Sequence, residues 1–271
     1  MGLQTVQDES AVQDRPGGRR RDGLKKRRDG ESMLRRIEPD STEPVARRVF
    51  RELRHAIVTM QFQPGQPLSE QEVAGQLGVS RQPVREAFIK LSESGLVVIR
   101  PQRGTFVVKI SAKQVMDARF VREAVELAVA RKAGEGLPAR AIAELEINLK
   151  AQREAAQSTN PAAFLELDEA FHRTIALGVD CEYAWRVVEE TKAQMDRVRY
   201  LSLPQATPLD RLITQHEQIV EGIRARCPDA AETAMRVHLR EILHSLPELA
   251  QRFPDLFDSE ATPAEPIAES A

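Results

Sequence analysis

Two groups of residues have types and spacings suited to chemistry. In LDEAFHRTI, Asp168 and His172 stand four residues apart, so a helix presents both on one face. His216 in TQHEQIV and His238 in MRVHLREI each have apolar neighbours at helical spacing: Ile213, Ile219 and Val220 for the first, Met235 and Ile242 for the second. Both are expected to turn toward a core. One carboxylate and three imidazoles converging from three helices would form a divalent-metal site with positions left for outside oxygen ligands. The same spacings also suit three unrelated histidines, two satisfied in the core and one at the surface. Spacing alone leaves both readings open. His55 and His244 fall outside the pattern, His244 because it lies well around the helix from His238.

The second group lies in VSRQPVREAFIKL, Val79 to Leu91. Val84, Ala87, Phe88 and Leu91 follow the rhythm of one buried helix face. Ser80, Arg81, Gln82 and Arg85 crowd the exposed N-terminal end, with Pro83 in the first turn, where its missing N–H is tolerated. In a helix-turn-helix, this end of the second helix meets the bases in the major groove. Arginine's fork matches guanine O6/N7 or a phosphate, and glutamine can read an adenine edge. Ser80 is expected to cap the helix or bond a phosphate. Arg103 and Gly104 fall at the tip of a following hairpin, where a wing can reach the DNA backbone or minor groove.

The elements that must position these residues divide the chain near Ile110–Ser111. Glu43 to Met60 reads as an amphipathic helix with Val45, Val49, Leu53, Ala56, Ile57 and Met60 inward. QPGQP breaks it, and Ser69 with Glu72 forms a capping box for a second helix that ends at Gly78. The helix bearing Arg81 follows. Leu96–Ile99 and Thr105–Val108, joined by RPQRG, then form a two-stranded hairpin. The sequence beyond is all helix, expected near 111–133, 138–157, 161–179, 182–202, 209–226 and 229–246. The fold class is therefore mainly α: an N-terminal winged helix-turn-helix (43–110), then an all-helical antiparallel bundle (111–252). Residues 1–42 hold RPGGRRRDGLKKRRDG and read as a disordered basic tail, whose charge could add non-specific attraction to phosphates. Residues 253–271 read as a disordered acidic tail.

The net charge of −2 hides a segregation. Pro44 to Ile110 carries ten Lys/Arg against five Asp/Glu, whereas Ser111 to Arg252 carries 19 against 22, so only the first module is suited to a polyanion. No apolar run is long enough for a membrane span, and no apolar segment follows the N-terminal charges as a signal peptide requires. Cys181 and Cys227, both in helical context, read as reduced thiols of a cytoplasmic protein.

The stretch PGQPLSEQEVAGQLGVSRQPVREAFIKLSESGLVVIRPQRGTFV resembles the DNA-binding domain of the GntR family of bacterial transcription regulators over about residues 44–108. The resemblance implies a homodimer on a pseudo-palindromic double-stranded operator. It also implies DNA contacts by Ser80, Arg81, Gln82 and Arg85 and a wing glycine at Gly104. Gln71 departs from the basic residue that many members carry. The region 111–250, with Arg122-x-x-Val125-Glu126, D-x-x-x-H, H-x-x-I and a late histidine, is similar to the FCD ligand-binding domain of FadR-type members. That likeness implies that Asp168, His172, His216 and His238 bind a metal, zinc or nickel, and that the metal helps hold a small organic or sugar acid. It places Arg122 where a family arginine faces the cavity and can clamp a carboxylate; the alternative is an ordinary ion pair with Glu126. Arg197 and Arg199 in QMDRVRY are candidates for a second anion contact or for a surface role.

The leading expectation is a metabolite-responsive transcription regulator, expected to act as a repressor, and not an enzyme. An architectural DNA-binding protein whose helical part only dimerises is the alternative. A metalloenzyme tethered to DNA is weaker still, because the sequence shows no separate acid/base pair or nucleophile motif.

Overall fold

The computed structural model describes residues 34–38, 42–158, 160–203 and 208–258. The first module holds helices α1 (Val45–Val58), α2 (Glu70–Leu77) and α3 (Arg81–Glu93). Its sheet has three antiparallel strands, β1 (Pro67–Leu68), β2 (Val97–Arg100) and β3 (Gly104–Val107), in the order β1-β3-β2. The β2–β3 hairpin pairs Val97 with Val107 and Arg100 with Gly104. Strand β1 was not expected; two residues are too few for any periodicity, and its pairing with Thr105 and Phe106 is purely tertiary.

Val49, Leu53 and Ile57 of α1 pack with Leu77, Val84, Phe88 and Leu91 in a single core. Val45, expected inward, is exposed, since the first residue of α1 precedes the turn that meets that core. The Ser69 side chain accepts from the Glu72 N–H as the capping pattern requires, at 3.3 Å. Gly78 ends α2 in the left-handed conformation, φ 71°. Ser80 occupies the N-cap of α3 but makes no side-chain cap hydrogen bond, contrary to expectation.

The rest of the described chain is helical: α4 (Ala112–Ala133), α5 (Ala139–Gln157), α6 (Pro161–Gly178), α7 (Glu182–Thr191), α8 (Ala193–Ser202), α9 (Leu209–Arg224), α10 (Pro228–Arg240) and α11 (Ile242–Arg252). Two stretches expected as single helices are divided. The first breaks at Lys192, whose buried ammonium reaches Glu169 at 2.9 Å and Asp196 at 2.8 Å. The second breaks at Glu241. There Glu241 N–H bonds His238 and His244 N–H bonds Glu241, a tight i→i−3 turn, and Pro247 just beyond has no N–H to continue a regular ladder.

Both expected tails are partly folded. Pro254–Leu256 forms a 3-10 turn, and Phe257 is buried and bridges Ile110 in parallel; Ile110 N–H bonds Leu256 and Asp258 N–H bonds Ile110. The segment FPDLF carries three large apolar side chains that an average over 253–271 conceals. Upstream, Leu34 is buried in the core of the first module, and the Ile37 N–H bonds the Leu77 carbonyl at 3.0 Å. The remaining residues of both expected tails lie outside the described residues, as does the basic run.

Helices α9 and α10 cross closely because Gly222 has no side chain. A Cβ there would lie 2.6 Å from the Ala231 backbone nitrogen. These two helices carry His216 and His238, so their spacing matters beyond stability. Gly222→Ala is expected to cost about 1–3 kcal/mol through overpacking, read from urea unfolding; unchanged stability would show that the crossing is not tight.

Candidate functional site

On the first module, Ser80, Arg81, Gln82 and Arg85 are all exposed at the start of α3. Their opposite face, Val84, Ala87 and Phe88, is anchored in the core, which fixes the outward direction. Gln82 Nε2 donates to Glu86 at 3.1 Å. Arg103 and Gly104 are exposed at the hairpin tip, with Gly104 at φ 98°, a conformation that favours glycine. Sequence reasoning missed one participant. Glu70 at the start of α2 pairs with Arg81 at 3.0 Å and with Arg85 through both its oxygens, at 3.1 and 3.0 Å.

In the helical part, α6, α9 and α10 bring Asp168, His172, His216 and His238 together, all buried, with one ligating atom from each within 4.8 Å of the others. His238 Nε2 lies 3.1 Å from His172 Nε2 and 3.2 Å from His216 Nε2. Asp168 Oδ1 is 3.5 Å from His216 Nε2, and Oδ2 is 3.9 Å from His172 Nε2. The three outer ring nitrogens face side-chain oxygens. His216 Nδ1 meets Gln152 Oε1 at 2.8 Å, His238 Nδ1 meets Gln215 Oε1 at 3.2 Å, and His172 Nδ1 contacts Glu126. Of these partners Glu126 and Gln215 lay in quoted motifs, though neither was singled out as a histidine partner; Gln152 has no signal beyond its helix.

Burial pushes the His216 imidazole down to about 3 and His238 well below the usual histidine range. Burial alone would raise Asp168, but Arg199 and the three imidazoles outweigh it and hold the carboxyl well below the usual carboxylate range. Glu126, likewise opposed by burial, is brought to about 2 by Arg122 and His172. At neutral pH the cluster thus offers neutral imidazoles at His216 and His238 and an ionised carboxylate, as metal ligands must be.

The residues fit a metal. With Nδ1–H of His216 and His238 committed to glutamine oxygens, their Nε2 atoms present bare lone pairs to each other at 3.2 Å. No hydrogen lies between them, so the contact is repulsive unless a cation shares both. Neighbouring ligands with bonds of about 2.1 Å sit about 3 Å apart when at right angles, which matches the observed spacing. Asp168 Oδ1 has no hydrogen-bond donor among the described residues.

Arg122 is buried and pairs with Glu126, so the ion pair considered from sequence exists, but inside the protein. It also lines a cavity of about 30 Å³ together with Arg199, Ser202, His238, Glu241 and Ser245. That is room for one or two waters, and a sugar acid would need the side chains to part. Arg199 reaches this cavity and contacts Asp168. Arg197 does not: it is fully buried and donates to the Val108 carbonyl at 3.0 Å, and burial lowers its guanidinium to about 10. His244 is exposed.

Helix α8 joins the two parts. Besides Arg197, its Gln194 donates to the Gly95 carbonyl just beyond α3, and its Asp196 pairs with Arg54 of α1 at 2.6 Å. Asp196 also lies 3.7 Å from Arg199. One helix therefore touches a member of the His/Asp cluster, the end of α3 and the end of the hairpin.

Residues 45–107 match the family described as bacterial regulatory proteins, gntR family, and residues 117–241 match the FCD domain. The HTH-type transcriptional repressor RspR of Escherichia coli strain K12 is 45% identical over 219 residues, 81% of this chain and 96% of that protein. The chain belongs to the GntR family, with an FCD domain. It is a DNA-binding transcription regulator, mainly α, with a GntR winged helix-turn-helix. The gluconate operon transcriptional repressor of Bacillus licheniformis is 25% identical, over 67% of this chain and 76% of its own length. The solved structure of E. coli McbR/YncC shares the fold, with a TM-score of 0.69 at 19% identity, covering 78% of this chain and all of that one. Among the described residues no helix is long and apolar enough to cross a membrane.

The depressed histidines set a pH dependence. In the unfolded chain His216 takes up a proton near pH 6.5, but in the folded protein not until about 3. Falling pH therefore favours the unfolded state across that window. Chelator-treated protein should lose stability from pH 6.5 downward, by roughly 1.4 kcal/mol per pH unit for each such group. Urea midpoints that stay level between pH 6.5 and 5 would contradict this.

Proposed function

We propose that this regulator is a cytoplasmic repressor, working as a homodimer on a two-half-site operator, whose DNA affinity is set by a small organic or sugar acid bound at a metal-containing site. The observation that carries the reading is the pair of bare Nε2 lone pairs of His216 and His238 at 3.2 Å, beside the donorless Asp168 Oδ1. Asp168, His172, His216 and His238 would hold a divalent ion, with zinc or nickel suited to three imidazoles and one carboxylate. Such an ion supplies positive charge that an acid's oxygens neutralise.

The protein's own residues do the rest. Arg122 and Arg199 line the same cavity, and each presents a guanidinium to a carboxylate. Because the cavity is small, admitting an acid requires Arg199 to exchange Asp168 for the ligand. That exchange moves α8, whose Gln194, Asp196 and Arg197 hold the DNA module. The coupling is real only as far as the acid binds one arrangement of α8 better than the other. The relative named for the gluconate operon supports the sugar-acid class, and relatives named as repressors support the sign of regulation. On the DNA side, Ser80, Arg81, Gln82 and Arg85 would enter the major groove, with Arg103 and Gly104 at the backbone. The module boundaries near 43, 110 and 252 and the non-enzymatic role are part of the same reading.

The test is elemental analysis with calorimetry against sugar acids, hydroxy acids and dicarboxylates. His216→Ala should lose the metal and the acid response together while unliganded DNA binding survives. A metal-free variant that binds an acid with unchanged affinity would sink the mechanism. Separately, light scattering of the full chain should give a dimer at micromolar concentration, since two-fold assemblies dominate and one small module binds DNA weakly; a monomer would contradict the two-half-site reading.

A further inference from the structure

The contacts of Glu70 raise a question that the helix-turn-helix pattern leaves open: why should an acidic side chain hold the two arginines that face the DNA? Glu70 is the first residue of α2, after the Ser69 cap, where the free N–H groups of the helix favour a carboxylate. Its side chain is 24% exposed, while Arg81 and Arg85 are 62% and 56% exposed. The carboxylate thus sits behind the guanidinium groups, on their protein side. Arg85 spends Nε and one Nη2 hydrogen on Glu70, and Arg81 spends only Nη2. Arg85 keeps its outer Nη1/Nη2 edge, a fork of the shape that matches guanine O6 and N7. Arg81 keeps Nε and Nη1.

We infer that Glu70 is a positioning residue that sets sequence specificity. Two effects act in the same direction. Long arginine side chains on a surface must be ordered on binding, and Glu70 orders both beforehand, which favours the correct base pairs. Glu70 also cancels one of the two positive charges, which weakens attraction to phosphates on any sequence. Specific binding gains and non-specific binding loses. The opposing view is that Glu70 merely competes with DNA for the arginines. The two views differ in sign. If Glu70 competes, its removal tightens binding to every duplex; if it positions, removal weakens binding to the preferred one.

The experiment uses the full-length protein, the duplex that wild type enriches from a randomised library, and a scrambled duplex of the same length. Glu70→Ala should bind the scrambled duplex more tightly and lower the ratio of scrambled to enriched dissociation constants about tenfold, with relaxed preference at the contacted positions on reselection. Glu70→Gln, which keeps an acceptor without the charge, should lower the ratio less, about threefold. If Glu70→Ala fails to fold by circular dichroism, Glu70→Gln decides by itself. In an Arg81→Ala/Arg85→Ala background, Glu70→Ala should leave the ratio unchanged. Tightening on both duplexes, or an unaltered ratio in wild-type background, would overturn the inference. So would an equal fall in the double-arginine background, which would mean that Glu70 acts only through the fold of α2.

Discussion

Three imidazoles and a carboxylate share one buried point in the helical domain, and that point constrains everything around it. Each group comes from a helix that must keep its angle for the ligating atoms to stay near 3 Å apart. Gln152, Gln215 and Glu126 hold the outer ring nitrogens, so α4, α5 and α9 are drawn into the same arrangement as α6 and α10. Phe171 stacks on the His216 ring at 4.2 Å, which closes the apolar side of the cluster. Polar groups this deep are tolerable only when every one is satisfied. In this cluster the inward Nε2 atoms face only one another, and Asp168 Oδ1 has no hydrogen-bond donor among the described residues.

The surplus of buried charge nearby has a direction. Asp168 meets Arg199, Asp196 lies within 3.7 Å of Arg199 and pairs with Lys192, and Arg54 of the DNA module completes the series. Burial opposes the charge of Asp196, but Lys192 and Arg54 outweigh it and bring it to about 2. Removing or redirecting one member leaves its partner buried and unpaired, an expensive state. Asp168 is thus joined through Arg199 to α8, and α8 contacts the carbonyls of Gly95 and Val108. In the DNA module the same economy of charge recurs at the surface, where one glutamate holds two arginines.

Much of this was legible in one dimension. The heptad-like burial of Val84, Ala87, Phe88 and Leu91 fixes which side of α3 faces outward, and local chemistry at Ser69 and Gly78 sets the bounds of α2. Asp168 and His172 share a face through helical spacing alone. What the sequence could not contain is the meeting of His216 and His238 with that face, because they lie 44 and 66 positions beyond His172 and the register of three helices must agree. Resemblance supplied the grouping; packing produced it, with Gly222 allowing α9 and α10 to approach. The roles of Glu70, Gln152, Gln215 and Arg197 were invisible for the same reason. A polar residue on a helix has no periodic signature that says which distant oxygen or guanidinium it will meet. The breaks at Lys192 and Glu241 follow from tertiary ion pairs and a tight turn, and Phe257 is buried in a cluster with Ile110, Val115 and Leu246 that only distant segments together can form. Sequence determines what local periodicity, capping and turn chemistry can specify: helix faces, their ends and the order of elements. Tertiary structure alone decides which faces meet, because that depends on shape and charge complementarity between segments far apart in the chain.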